Sequence, residues 1–437
     1  MSKVRVPKVG VARPILLNDV HARLNPTRVA ELVLPRSLAE TTAAVRRAAA
    51  QAGMQWPGLL AALRGRQDSG LRRVERTQES GVGPLTFRQK QTGADRLSIG
   101  GALAANIHGR GLRFKPFVED VESFTLIDAE GRLLRCGRSE NAELFRLAIG
   151  GYGLFGIVAE VTLRLVPRTK LRRLVDITTL DDVEATFDRR LAEGFQYGDF
   201  QFAIDPTGSD FLSRGVRSAY LPVADDVPVT ASPAELGAEQ WQRLLALAHT
   251  DKVRAFDVYA AHYRATHGQV YWSDLHQLGV YVDGYHDRLD RSASEMITEV
   301  YLPRAGLIDF MAACRDDFRT HDVELIYGTV RVTKRDDETF LPWAAGDRAC
   351  IVFNLHIRHT AAGIAKAKRD FRRIIDRALE RGGSFYLAYH RWATPDQLLA
   401  GHPKFIEFLR AKLTVDPAER FQSQWYRHWR DLLHPRL

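Results

Sequence analysis

The run LSIGGALAANIHGRG, residues 97–111, limits this chain more than any other stretch. Two adjacent glycines open it and two more lie at its end, with mostly small residues, one Asn and one His between. A glycine pair alone marks a bulge or tight turn as readily as a binding loop. A second bare segment, IGGYGLFGIV at 149–158, follows at domain scale. Two such segments let main-chain N–H and C=O groups approach a large flat ligand with no Cβ in the way. The fold must then bring both to one crevice. His108, after the first glycine-rich turn, either caps that turn or faces the ligand.

The flanking patterns read as α+β. Residues 29–52, VAELVLPRSLAETTAAVRRAAAQA, give a short strand and then a helix, with Ser37 and Glu40 spaced as a capping box. GMQWPGLLAALRG is a turn into a short helix with Pro57 at its start. Residues 64–88 lack periodicity and read as a surface loop. VESFTLIDAEGRLLRC (121–136) is a hairpin about a DAEG turn. SENAELFRLAIGG is a helix capped by Ser139 or Asn141, and GIVAEVTLRLVPR is an alternating strand ended by Pro167. From about 170 to 385, strands such as VELIYGTVRVTK and ACIVFNLHIRH alternate with helices such as PRAGLIDFMAACRDDFR. That order predicts an antiparallel sheet with flanking helices. YLAYHRWAT (386–394) reads as one more strand leading into a loop, and the tail as helix, turn, short helix.

At 437 residues the chain has room for two to three domains, and 45% hydrophobic with 26% charged residues is ordinary for a globular protein. Its net charge of +9 comes from Arg spread along the chain rather than from a basic stripe interleaved with aromatics. Nucleic acid is therefore not the expected partner, while an anionic cofactor or phosphorylated substrate suits the charge. The three cysteines, Cys136, Cys314 and Cys350, are far apart and suggest neither a disulfide framework nor a metal site. No apolar run of membrane-spanning length and no secretory leader is read, so the cytoplasm is the expected location.

LSIGGALAANIHGRG, VEDVESFTLIDAEGRLLRC, ENAELFRLAIGGYGLFGIVAEVTLRLVPR and the tail VDPAERF together resemble the vanillyl-alcohol-oxidase superfamily of FAD-dependent oxidoreductases. The likeness is nearest the decaprenylphosphoryl-ribose oxidase and aldonolactone/alditol oxidase branches, over about 29–168 and 383–428. It implies an α+β fold in four parts: an N-terminal segment (1–28), a PCMH-type FAD-binding domain (29–170), a substrate or cap domain with an antiparallel sheet flanked by helices (171–385), and a C-terminal segment (386–437) returning to the first domain. By position, Gly93, Ser98, Gly100 and Gly101 are implied to hold the pyrophosphate and flavin edge by main chain. Ala105, Asn106, Ile107 and His108 are implied to line the isoalloxazine, Ile157 to meet the adenine end, and Tyr386 to sit near the flavin.

The implied activity is FAD-linked oxidation of a CH–OH group in a sugar, polyol or related alcohol, by hydride transfer to the flavin. That chemistry needs a base for the hydroxyl proton and a positive group near the flavin's pyrimidine end. Candidates are His108, Arg331, Tyr389, His390 and Arg391, with Asn354 and His356 on a neighbouring strand; on alternating strands each serves equally as a solvent-facing or structural residue. The sugar-oxidase relatives carry Glu-x-Arg where this chain has Thr329-Val330-Arg331, so the acid is absent there. The ribose-oxidase relatives place a lysine near Tyr389.

One departure from the family is large. VRRAAAQAG runs straight into MQWPGLL, without the strand and glycine-rich pyrophosphate loop that relatives place between them. Non-covalent FAD is therefore expected. Losing two or three hydrogen bonds to a charged group, at about 1.5–3 kcal/mol each, weakens binding by roughly two to six decades. A non-catalytic binding or scaffold protein on the same fold is the alternative reading.

Overall fold

The computed structural model describes residues 15–17, 27–29, 54–64, 84–275 and 292–437. The strand–helix expectation for 29–52 (beyond Val29), most of the 64–88 loop and the place of the absent pyrophosphate loop lie outside these residues. Near the N-terminus β1 (Ile15–Leu17) pairs antiparallel with β2 (Thr27–Val29). Helix α1 (Trp56–Leu63) follows, its Trp56 fully buried and edge-on to Phe87 and Phe117. Strand β3 is Leu85–Thr86.

The run 97–111 is not an open loop. Ser98 bridges to Gln55, and Ile99–Ala105 form helix α2, with Gly100 and Gly101 in its first turn. The Ser98 hydroxyl caps it by accepting from Gly101 N at 3.0 Å. Glycine's low helix propensity hid a helix that its cap and its buried Ile99, Ala102 and Leu103 sustain.

The hairpin and strand of 121–168 form as expected. β4 (Val121–Ile127) pairs with β5 (Leu133–Gly137) on one side and β6 (Ile157–Leu163) on the other. Helix α3 (Ala142–Ala148) lies between, and β7 (Val166–Pro167) pairs back to β3.

The remaining strands build one eight-stranded antiparallel sheet in the order β11-β8-β10-β9-β13-β14-β12-β15. They are β8 (Lys170–Thr179), β9 (Tyr197–Phe202), β10 (Arg214–Val223), β11 (Val270–Trp272), β12 (Ala293–Pro303), β13 (Leu325–Thr333), β14 (Arg348–Arg358) and β15 (Ser384–Phe385). Helices α4 (Asp181–Ala192), α5 (Ala238–Thr250), α6 (Lys252–Ala265), α7 (Leu307–Thr320) and α8 (Ala361–Leu379) flank it. Helices α9 (Pro395–Gly401), α10 (Phe405–Val415) and α11 (Gln424–Leu433) close the chain. The whole is a mixed α+β structure. Among the described residues no helix is long and apolar enough to cross a membrane.

Period-two alternation divides this sheet chemically. Met296, Val300 and Leu302 of β12 join the core formed with Phe310 and Met311 of α7 and Phe371 and Ile375 of α8. The alternate residues Glu295, Glu299 and Tyr301 turn to the opposite, polar face. The strand expected at YLAYHRWAT ends at once. Tyr386 N still bonds to Glu299 O at 2.9 Å, but there the ladder stops and the chain turns.

Asp120 gives the fold a pH dependence. It is 3% exposed, Arg88 Nε stands 3.4 Å from Oδ1, and neither oxygen accepts a well-formed hydrogen bond among the described residues. Burial pushes the carboxyl up to about 7 against the pull of Arg88. Between roughly pH 4 and 7 the folded state thus holds a proton that the unfolded chain has released, and stability falls as pH rises through that window. Asp120→Asn abolishes the fall. Its stability relative to wild type should improve between pH 4 and pH 8 by up to about 4 kcal/mol. Thermal unfolding at both pH values checks this, and equal differences in Tm at the two would refute it.

Candidate functional site

The two side-chain-poor segments meet. Gly150 N donates to Leu103 O at 3.0 Å and Tyr152 N to Ala104 O at 2.8 Å, so 149–153 is stitched to the end of α2. Glycine is required at this seam. Gly150 has φ +71°, and a Cβ on Gly151 would lie 2.1 Å from Leu147 O. A cavity of about 270 Å³ opens beside the seam, lined by Gly101, Ala104, Ala105, Tyr152, Leu387, Ala388, Ser423 and Trp425. Three parts of the chain therefore wall it: the bare segments, the turn after β15 and the C-terminal region. Tyr152 and Trp425 pack at one end with ring centroids 4.9 Å apart and planes tilted by 34°.

Of the residues singled out in the sequence, Gly101 and Ala105 line the cavity. Tyr386 borders it, donating its hydroxyl to Ala105 O at 2.6 Å. Tyr389 packs on Tyr386 and accepts from Gln91 Nε2 at 3.1 Å. Asn106 is committed elsewhere. It sits in the left-handed region at φ 45°, donates to Asp336 at 2.9 Å and accepts from Val118 N at 3.0 Å. Its carbonyl accepts from the Trp343 indole at 2.9 Å. Ile107 is core. Gly93 turns the chain at φ +80°, Ser98 caps α2, Gly100 lies in that helix's first turn, and Ile157 pairs with Ile127 in the small sheet.

Beneath Ala105, α2's C-terminal end meets the polar face of the large sheet. His108 is 2% exposed, and Glu299 Oε1 stands 2.5 Å from its Nε2. Its Nδ1 lies 2.9 Å from Gly109 O. A carbonyl only accepts, so Nδ1 carries a proton, and the Nε2 contact then shares a second proton between imidazole and carboxylate. Cys350 completes the cluster, its thiol pushed far up by burial, and Tyr301 and Trp343 stack beside it at 4.2 Å.

Register places Arg331 on the same face, opposite Cys350, which is itself opposite Tyr301. Arg331 is 7% exposed, has no ion-pair partner among the described residues, and leaves its Nε without an acceptor. Glu299 Oε2 and the Tyr301 hydroxyl are likewise buried and unpartnered. Burial raises the Tyr389 phenol well above its usual range. The Glu299 charge adds to that rise and Arg331 opposes it.

Other candidates go elsewhere. His390 lies on the helix-side face of β12, 3.2 Å from Thr298 Oγ1 and against Phe371, and burial holds its imidazole down at about 3. Arg391 donates to Gln424 O at 3.0 Å. His356 pairs with Glu295, and Asn354 stands between these groups with Oδ1 unpartnered.

Glu299 is the residue that sequence reasoning missed. Thr329-Val330-Arg331 holds no acid, but Glu299 of another strand lies on the same sheet face, and His108 meets it 191 positions away. The available signal was SEMITEVYL, an apolar alternating strand with two glutamates on one face.

No family model matches the chain. Among curated proteins, cytokinin dehydrogenase 10 of Oryza sativa subsp. japonica is 29% identical over 140 residues, covering 30% of this chain and 25% of its own. L-gulonolactone oxidase of Bos taurus is 32% identical over 95 residues, covering 22% of each chain. Mitochondrial L-galactono-1,4-lactone dehydrogenase of Brassica oleracea is 29% identical over 136 residues, covering 31% of this chain and 20% of its own. The chain thus spans about a quarter or less of the length of these relatives, which are FAD-dependent flavoproteins. Two of the three are aldonolactone enzymes, while the cytokinin dehydrogenase lies outside both branches that the motifs resemble. Over the shared portion, the chain is similar to these FAD-linked oxidoreductases.

Proposed function

We propose that this protein is an FAD-dependent oxidoreductase that oxidises a CH–OH group of a sugar, polyol or related alcohol, acting in the cytoplasm. The observation that carries the reading is the buried Arg331, without an ion-pair partner among the described residues, on the same sheet face as the proton-sharing His108–Glu299 pair, which lies beneath the Ala105 wall of the cavity.

The residues present fit the ring end of FAD. Gly101, Ala104, Ala105 and Ala388 leave flat walls, and Tyr152 and Trp425 offer aromatic surface. At about 270 Å³ the cavity falls just short of the roughly 300–1,000 Å³ of small-molecule sites, so it takes part of a dinucleotide rather than the whole. When bound, FAD supplies the hydride acceptor. The chain's residues supply the rest. In this reading Gly93, Ser98, Gly100 and Gly101 present main chain to the pyrophosphate side, and Ile157 marks the adenine end. Tyr386 fixes the Ala105 carbonyl that borders the ring. His108 and Glu299 together take the alcohol proton, and Arg331 offsets developing negative charge. Tyr389, held by Gln91, orients the donor.

The absorption spectrum of the purified protein before and after adding FAD tests the assignment. A yellow protein, or one that acquires a bound flavin spectrum on titration and elutes with it from gel filtration, is expected. A colourless protein that takes up no FAD at any concentration would sink the reading.

A further inference from the structure

We propose that His249, Glu295 and His356 form a binding site for a divalent transition-metal ion of the zinc class. The three residues come from α5, β12 and β14. Glu295 and His356 are cross-strand partners, so their side chains share the polar face of the sheet. Helix α5 packs on that face through Leu244, which touches the cluster of Val175 and Val216, and its last turn delivers His249.

The geometry is that of a ligand set. Glu295 Oε1 lies 3.1 Å from His249 Nε2 and 2.9 Å from His356 Nδ1, and one atom from each residue falls within 4.8 Å of the others. The two imidazoles stand nearly perpendicular, at 85°. Two imidazoles and one carboxylate are a zinc donor set, and bonds of about 2.0–2.1 Å in a tetrahedron separate ligand atoms by roughly 3.3 Å. The two Glu295–histidine pairs need open by only a few tenths of an ångström, and the two imidazole nitrogens already lie within 4.8 Å of each other.

A second observation points to a missing ligand. Glu295 is 1% exposed, yet its Oε2 is buried with no partner among the described residues. A carboxylate buried with one oxygen unmet is costly unless a cation shares it. His249 keeps 30% of its side chain exposed, so solvent reaches the trio and water can fill the fourth position. Glu324 adds negative charge near His356, against Arg358 and Lys252; the Lys252 ammonium is held by Leu325 O. The cysteine spacing on which no metal was expected carries no information here, because these ligands lie far apart in sequence. Glu295 and Glu299 are four residues apart on β12, about 13 Å at 3.3 Å per residue, so this site is separate from the His108–Glu299 pair.

Tag-free full-length protein, stripped with EDTA and titrated with ZnCl₂ by calorimetry, tests the site, with metal content read by mass spectrometry after gel filtration. One equivalent bound with micromolar or tighter affinity is expected, together with a rise in Tm. Glu295→Gln and His356→Gln should each weaken binding on the order of 100-fold. His249→Ala, at the exposed end of α5, should weaken it at least about tenfold with circular dichroism unchanged. Absence of binding at 100 µM zinc (about that concentration marks a useless site), or binding that survives both His249→Ala and His356→Gln, would overturn the proposal.

Discussion

Glu299→Gln should lower turnover by about 10²–10⁴-fold while leaving FAD uptake intact. His108 Nδ1 is occupied by Gly109 O and Nε2 by the proton it shares with Glu299, so the position left for the donor's proton is the unpartnered Oε2 of Glu299. A carboxylate accepts the donor's hydroxyl proton there; an amide does not. Gln keeps the size and one hydrogen bond, so the buried site stays filled. The measurement is anaerobic bleaching of the bound flavin, using whichever sugar, polyol or aldonolactone reduces wild type fastest. The loss should appear in kcat rather than in donor affinity. His108→Ala should cost a similar factor, and the double variant little more than either alone, because the two act as one unit. Unchanged kcat in Glu299→Gln, with its fold intact, would remove the pair from the reaction.

The crevice was legible in the sequence because backbone requirements are local. A Cβ cannot be fitted at Gly151, and Gly150 needs a positive φ, so a glycine-rich segment is written wherever that seam is built. The hairpin of β4 and β5 was legible for the same reason: its register follows from the turn and the alternation on either side. The acid–base pair was not. Glu299 meets His108 only because the end of α2 docks on the polar face of the large sheet, a long-range contact that no window of sequence carries. Reading YLAYHRWAT as a strand misjudged the segment for a related reason. Its alternation is real, but the ladder ends after Tyr386, the turn sends Leu387 and Ala388 to the cavity wall, and His390 ends behind the sheet. The His249–Glu295–His356 trio shows the same limit, being assembled by register and by helix packing rather than by spacing.

Arg331→Met should do two opposite things, and their conjunction is the sharper test. A guanidinium that is 7% exposed, without a carboxylate partner and with Nε unmet, costs the fold free energy of desolvation that nothing in the described residues returns. It also presses on its surroundings, since its charge helps to lower the pKa of Lys90 after burial and Arg110 have done so. Methionine fills similar volume without the charge, so the variant should be more stable than wild type by about 1–3 kcal/mol, read as a higher Tm in the absence of added FAD. A cation held at such a cost is explained if it stabilises negative charge that develops during the reaction, where a buried, preorganised donor is worth about 10²–10³-fold in rate. The same variant should therefore bleach bound flavin with the donor about 10²–10³-fold more slowly. Arg331→Lys, which keeps the charge but not the planar fork, should fall between the two. A variant that is both less stable and fully active would mean that Arg331 is a structural residue whose partner is the fold itself, and the electrostatic half of the proposed site would have to be given up.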